Sequence, residues 1–76
     1  MEHYKNLSGK SGISAYEILP DSLIVQFPKY GKYSYSSSRI QNHYIEKMKT
    51  LAMSGKGLNT FINTNPDIKN YADKLN

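Results

Sequence analysis

Cysteine is absent from this chain. No disulfide can staple the fold, which must be held by packing or by association with a partner, and the absence fits a reducing cytoplasm. No apolar run approaches the ~20 residues that a membrane-crossing helix needs, so no membrane partner is expected. The opening Met1-Glu2-His3-Tyr4-Lys5-Asn6 has no basic segment followed by an apolar stretch, the pattern of a secretory signal, and a cytoplasmic location is expected. Carboxylates are sparse. Glu2, Glu17, Asp21, Glu46, Asp67 and Asp73 stand singly, which leaves no acid/base pair, and no serine has a histidine and an acid arranged to activate it. His43 meets Lys47 at i+4 where a second metal ligand would stand. Catalysis, a metal and a cofactor are all unexpected.

What is present is 76 residues, 38% hydrophobic and 21% charged. The chain is too short for two domains and too apolar for a charge-dominated disordered segment. At this size folding removes only about 60% of the exposable surface from water. Ten basic residues against six acids give a net charge of +4. That balance favours polyanionic partners without naming one.

Residues 1–12 are rich in small and polar types, show no apolar period, and predict a flexible lead-in. Residues 13–76 predict a single α+β domain. Ile13 to Leu19 alternates loosely, Pro20-Asp21-Ser22 supplies turn chemistry, and Leu23-Ile24-Val25-Gln26-Phe27 reads as a β-branched and aromatic strand. A second turn, Pro28-Lys29-Tyr30-Gly31, leads to a third strand, Lys32-Tyr33-Ser34-Tyr35-Ser36, completing a three-stranded antiparallel meander. Ser38 and Gln41 have capping-box spacing, and Ile40, Tyr44, Ile45, Met48, Leu51 and Ala52 recur at helical intervals, predicting a helix from about Arg39 to Met53. Gly55 is placed to end it and Gly57 to keep it from resuming. Leu58 to Asn65 reads as irregular or a short strand. Pro66 opens a short C-terminal helix carrying Ile68, Tyr71, Ala72 and Leu75.

A three-residue loop of Lys29, Tyr30 and Gly31 pairs Phe27 with Tyr33 and Val25 with Tyr35, and paired residues share a face. Carried back through the first turn, the pleat adds Tyr16 and Ile18 to that face and leaves Glu17, Ile24, Gln26, Lys32 and Ser34 on the other. The amphipathic helix needs a surface to cover, so the expected core is Tyr16, Val25, Phe27, Tyr33, Tyr35, Ile40, Tyr44, Met48 and Leu51. A four-residue loop would instead turn Tyr33 and Tyr35 outward as a base-stacking platform. The buried face, which fixes register strongly, favours the first arrangement. Tyr30, at the turn tip, is the expected exposed aromatic.

Tyr16-Glu17, then Leu23-x-Val25-x-Phe27, Gly31 and Tyr33-x-Tyr35, resemble the KTSC domain, a short module found at the C-terminus of some lysyl-tRNA synthetases and as free-standing small proteins. Ala52-x-Ser54 with a nearby glycine, and Asn59-Thr60-Phe61-Ile62, extend the likeness to roughly residues 11–65. Departures are Ser37-Ser38 in place of a Val-Pro pair, a shifted glycine in the second turn, and a segment after Ser54 one residue short. The resemblance implies no established activity and, through the attachment to synthetases, RNA as a ligand.

The expected function is that of a small non-enzymatic binding module. RNA would be gripped through a basic surface of Lys29, Tyr30, Lys32, Arg39, Lys47, Lys49 and Lys56, with the backbone amides after Ser37 and Ser38, or the Gly55-Lys56-Gly57 backbone, adding phosphate contacts. The bland counterparts are scattered solvated charges, serines that merely cap, and glycines that merely end a helix. The alternative is a protein-interaction module or homodimer using the third strand's edge or the outer sheet face around Ile24, with Met53 as a further exposed apolar residue.

Overall fold

The β-branched and aromatic run after the first turn forms the middle strand of a five-stranded antiparallel sheet, in strand order β1-β2-β3-β4-β5. The chain enters as β1 (Glu2–His3), continues as β2 (Ala15–Leu19), β3 (Ser22–Phe27) and β4 (Gly31–Ser36), passes through α1 (Asn42–Ser54), α2 (Leu58–Asn63) and α3 (Pro66–Asn70), and returns to the sheet as β5 (Asp73–Lys74). The computed structural model describes residues 1–7, 9 and 11–75; Ser8 and Lys10 of the expected lead-in and Asn76 at the end of the expected domain lie outside the described residues. The architecture is α+β, and the predicted meander is its centre. The count of three strands is corrected to five.

The two added strands come from both ends of the chain. Glu2 pairs with Tyr16 and His3 with Ala15, and the next residue, Tyr4, is 1% exposed in the hydrophobic core. Its hydroxyl accepts a hydrogen bond from the Leu58 N–H at 3.3 Å, satisfying one of the otherwise unpaired donors at the start of α2. Leu7 N–H donates to the Gly55 carbonyl at 2.8 Å. Order therefore begins well before Ile13, because a single buried aromatic anchors a segment whose polar composition hides it. At the other end Asp73 and Lys74 pair with Ser34 and Tyr33, and Leu75 N–H donates to the Lys32 carbonyl at 2.8 Å.

Across the second hairpin Val25 faces Tyr33, Leu23 faces Tyr35 and Phe27 faces Gly31, two positions away from the expected pairing. The loop still holds three residues, but they are Pro28, Lys29 and Tyr30. Tyr30 N–H closes the turn on the Phe27 carbonyl at 2.9 Å, Pro28 supplies the fixed φ of the turn's second position, and Gly31 opens β4 at φ 100°, where a side chain would be strained. A shift of two keeps parity, so Tyr33 and Tyr35 stay on the inner face with Tyr16, Leu23 and Val25.

The predicted helix start at Arg39 is corrected to Asn42. The serine run folds as its own turn: Arg39 and Ile40 N–H donate to the Ser36 carbonyl at 3.1 and 2.9 Å, and the Ser36 and Ser38 hydroxyls bond each other at 3.0 Å. Hydroxyls engaged locally do not cap, and Gln41 at the N-cap makes no side-chain cap bond. Ile40 stays buried ahead of the helix. Gly55 ends α1 at φ 77° with its N–H shared between the Leu51 and Ala52 carbonyls. A Cβ there would lie 2.5 Å from Lys5 Cβ.

Leu58 to Asn65 is corrected from irregular or extended to helical. Leu58, Phe61 and Ile62 have i, i+3, i+4 spacing, and α2 buries Leu58 and Ile62 completely or nearly so. Gly57 is its N-cap, not merely a stop. Pro66 begins α3 as predicted and Ile68 is buried, but the helix ends at Asn70, leaving Tyr71 and Leu75 exposed. Of the expected core, Tyr16, Val25, Tyr35, Ile40 and Met48 are buried, while Phe27, Tyr33, Tyr44 and Leu51 are partly buried against them. Tyr4, Ile13, Leu23, Ile45, Ala52, Leu58, Ile62 and Ile68 are buried with them.

Truncating Tyr4 to alanine is expected to cost about 3–5 kcal/mol in denaturant unfolding, the range for a buried aromatic. Tyr4→Phe, which removes only the bond to Leu58, should cost about 1 kcal/mol. A Tyr4→Ala variant as stable as the parent would return residues 1–12 to a loose lead-in.

Candidate functional site

The helix layer covers the sheet unevenly. α1 lies over β3 and reaches the β2–β3 turn, where Lys49, only 8% exposed, donates from Nζ to the Pro20 carbonyl at 3.1 Å and stands 3.5 Å from Glu46 Oε2. The opposite end of β3 and β4 is left to the short helices α2 and α3, and these do not close over it. The result is a cleft of about 620 Å³. Phe27, Tyr33 and Tyr35 form its sheet side and Tyr30 rises from the hairpin tip. Asn59, Ile62 and Asn63 of α2, with Lys69 of α3 and Ala72, form the helix side.

Each wall has a local cause. Gly31 offers no side chain opposite Phe27, so the Phe27 ring leans diagonally onto Tyr33, edge to face with centroids 5.7 Å apart and planes at 84°. Tyr33 is half-buried. Tyr35, one pleat further in, is 2% exposed, and burial pushes its phenol well above the ordinary tyrosine value, with neighbouring Tyr33 adding to the shift. The Tyr35 hydroxyl therefore keeps its proton at any physiological pH. Asn59 and Asn63, one helical turn apart, are joined by a 3.3 Å bond from Asn63 Nδ2 to Asn59 Oδ1, which aligns their amides along the same face of α2. None of the lining residues is acidic. Rings, amides and one ammonium group facing a half-open cavity suit a planar, hydrogen-bonding, anionic ligand.

The basic residues singled out from the sequence are not gathered here. Tyr30 is 64% exposed and lines the cleft, and Lys29 beside it lines a second cleft sharing Tyr30. Lys32 is half-buried on the outer face opposite Gln26. Arg39 forms an ion pair with Asp73, and its guanidinium lies 5.7 Å over the Tyr71 ring, so its charge is answered locally. Lys47 and Lys56 are exposed but line neither cleft. Lys49 is corrected from a surface cation to a buried tether, because its stem packs in the core side of α1 and its ammonium satisfies a turn carbonyl. The amides after Ser37 and Ser38 precede the helix by a full turn and so are not its N-terminus. Gly55 is buried against Lys5 and ends α1, while Gly57 is exposed and is the N-cap of α2.

Asn59, Asn63 and Lys69 are the site residues that the sequence reading missed. The signal for Asn59 and Asn63 was present as i, i+4 spacing on α2, hidden by reading that segment as irregular or extended, whereas Lys69 lies on α3, the C-terminal helix the sequence did predict. The third strand is not an edge: β5 covers it at Tyr33 and Ser34, which corrects the edge expected to form a homodimer. Ile24 on the outer face is half-buried and Met53 is exposed. His43 is exposed with its ring 4.2 Å from that of Tyr44. Among the described residues no group of three or more His, Cys, Asp or Glu side chains is placed to hold a metal, and no helix is long and apolar enough to cross a membrane. No family model matches the chain, and neither a curated protein nor a solved structure matches it.

The raised Tyr35 pKa makes stability depend on alkaline pH. The folded state holds this proton more tightly than the unfolded chain does, so the contribution is complete below the unfolded value of about 10 and is lost as pH rises from there toward the folded value. Stability should fall by up to about 1.4 kcal/mol per pH unit above pH 10 through this group. Urea unfolding of Tyr35→Phe compared with the parent between pH 8 and 11 checks it: the variant should show the shallower decline.

Proposed function

We propose that the chain is a small, non-enzymatic, cytoplasmic module of KTSC type that binds single-stranded RNA by taking an unpaired base into the aromatic cleft. The observation that carries this reading is the convergence of Phe27, Tyr30 and Tyr33 with Asn59, Asn63 and Lys69 around one open cavity lined, among the described residues, by no acidic side chain. Unpaired bases bind by stacking on aromatic rings and by hydrogen bonds to their edges, and every base has a face to stack. Tyr30 and Tyr33 supply rings. The paired amides of Asn59 and Asn63 offer donors and acceptors to a base edge, and Lys69 is positioned for the phosphate. Duplex RNA, whose bases are already stacked and paired, has nothing to put into such a cavity.

This changes the basis of the RNA reading. A dispersed set of lysines would give sequence-blind, strongly salt-dependent binding. A cleft whose lining among the described residues holds one lysine, Lys69, gives weaker salt dependence and a greater share from stacking, worth about 1–3 kcal/mol per base. The net charge of +4 then contributes attraction at a distance.

Fluorescence anisotropy with labelled single-stranded RNA, single-stranded DNA and duplex RNA at two salt concentrations tests the proposal. Single-stranded RNA should bind best. Tyr30→Ala, at a largely exposed position, should weaken binding about 5- to 100-fold with an unchanged melting temperature. Lys69→Gln should reduce the slope of log affinity against log salt by about 0.7, and Lys47→Gln should leave affinity within about twofold. Absence of binding at low salt, or equal losses from Lys47→Gln and Lys69→Gln, would overturn the reading.

A further inference from the structure

A second cleft, of about 650 Å³, adjoins the first. The two share Tyr30 and Gly12. Its polar lining is different in kind: His3 and Lys5 from the N-terminal segment, Asn6, and Lys29 from the hairpin tip, with a single core-derived aromatic, Tyr4, besides the shared Tyr30. It has no acidic lining residue. Both clefts are lined mostly by apolar surface, Tyr4, Ile13, Pro28 and Tyr30 supplying it in the second, and what distinguishes the second is its pair of lysines, Lys5 and Lys29, where the first has Lys69. Gly12, which lines both clefts, is exposed, and a Cβ placed on it would meet no atom within 4 Å.

The basic wall is held in place. Asn6 adopts φ 53°, its Oδ1 accepts from Ser11 N–H at 3.1 Å and its Nδ2 donates to the Ser11 carbonyl at 3.4 Å. Ser11 Oγ accepts from Ile13 N–H at 3.2 Å. Lys5 is braced against Gly55, and Tyr4 N–H donates to the Ser14 carbonyl at 3.0 Å. These bonds fix the backbone that carries Lys5 and engage the Asn6 amide at both ends, while the exposed Lys5 side chain reaches solvent. Each cleft lies within the roughly 300–1,000 Å³ range of small-ligand sites, enough for one nucleotide apiece.

From this we infer that the second cleft receives the sugar-phosphate of the neighbouring nucleotide, so that the site is at least two nucleotides long, with the Tyr30 ring as the wall between them. The inference rests on the RNA reading and deepens it. Base recognition is assigned to the first cleft and backbone recognition to the second, the division between specifying and positioning contacts that nucleic-acid interfaces use. The N-terminal segment thereby contributes to the site as well as to the core.

Isothermal titration with mono- and dinucleotide 5′-phosphates of adenine and of uracil separates the two claims. The dinucleotide should bind the parent protein at least about tenfold more tightly than the mononucleotide, one further pair of charge-assisted contacts. The double variant Lys5→Gln with Lys29→Gln should abolish that gain and leave mononucleotide affinity within about twofold. Glutamine retains the Lys5 Cβ and Cγ that pack on Gly55, and an unchanged melting temperature verifies folding. If the parent binds RNA but gains nothing from the second nucleotide, or the double variant keeps the gain, the two-nucleotide site is overturned and the aromatic cleft stands. If no nucleotide or RNA binds the parent at all, both fall together.

Discussion

Phe27 can lean on Tyr33 because Gly31, directly across the ladder, has no side chain. That one substitution of space for a side chain determines much else. It closes the hairpin in three residues, which sets parity, which sends Tyr33 and Tyr35 to the same face as Leu23 and Val25. It also leaves the end of that face with rings and no opposing aliphatic bulk, so what covers it must come from the helices. α1 cannot supply the cover, since its buried residues Ile45, Met48 and Ala52 are occupied over the middle of the sheet and its Lys49 is drawn to the Pro20 turn. The cleft is the remainder of that geometry, lined by whatever α2 and α3 present.

A domain of this size has little core to distribute, and both chain ends are used to enlarge it. Tyr4 does so by burial and by meeting the first amide of α2; β5 does so by covering the β4 edge that would otherwise be open to pairing with another chain. The Arg39 and Asp73 ion pair, with Tyr71 under the guanidinium, holds β5 beside the turn that precedes α1. Such an exposed pair contributes little by itself, about 0–1 kcal/mol. Its effect is to favour one placement of a two-residue strand that has few other contacts to define it.

The meander, its parity, the Gly55 cap and the Pro66 start were legible because each depends on residues close in sequence. Turn chemistry and alternation are local signals. Tyr4, β5 and Lys49 were not legible, because their roles are defined by partners far along the chain: Leu58 for Tyr4, Ser34 for Asp73, Pro20 for Lys49. A lone tyrosine in a polar stretch and a lysine in a helix have no local pattern that distinguishes anchoring from solvation. α2 was a different failure. Its period was present in Leu58, Phe61 and Ile62, but Gly57 was read as keeping the chain from resuming a helix, and packing of two apolar side chains outweighed that local signal. Because Asn59 and Asn63 ride on that helix, the half of the cleft they form was lost with it.

The position of the charges decides how the aromatic face can be used. Inner and outer placements of Tyr33 and Tyr35 were posed as opposites, one making core and the other a platform, and the register puts both rings on the inner face, as expected, with exposure graded along it. Tyr35 is core, Tyr30 is exposed, and Tyr33 between them is half-buried at the rim of the cleft. A ring so placed is rigid on one side and accessible on the other, so stacking against it costs little side-chain entropy. Lys74 is the cross-strand partner of Tyr33, Lys69 lines the first cleft and Lys29 the second, whereas Arg39 and Lys49 are engaged by Asp73 and Pro20. The end of the sheet that the helices leave uncovered therefore combines accessible rings with Lys69 and Lys29, whereas Arg39 and Lys49 are already answered elsewhere, which is the arrangement the proposed binding of an anionic ligand with a flat face uses.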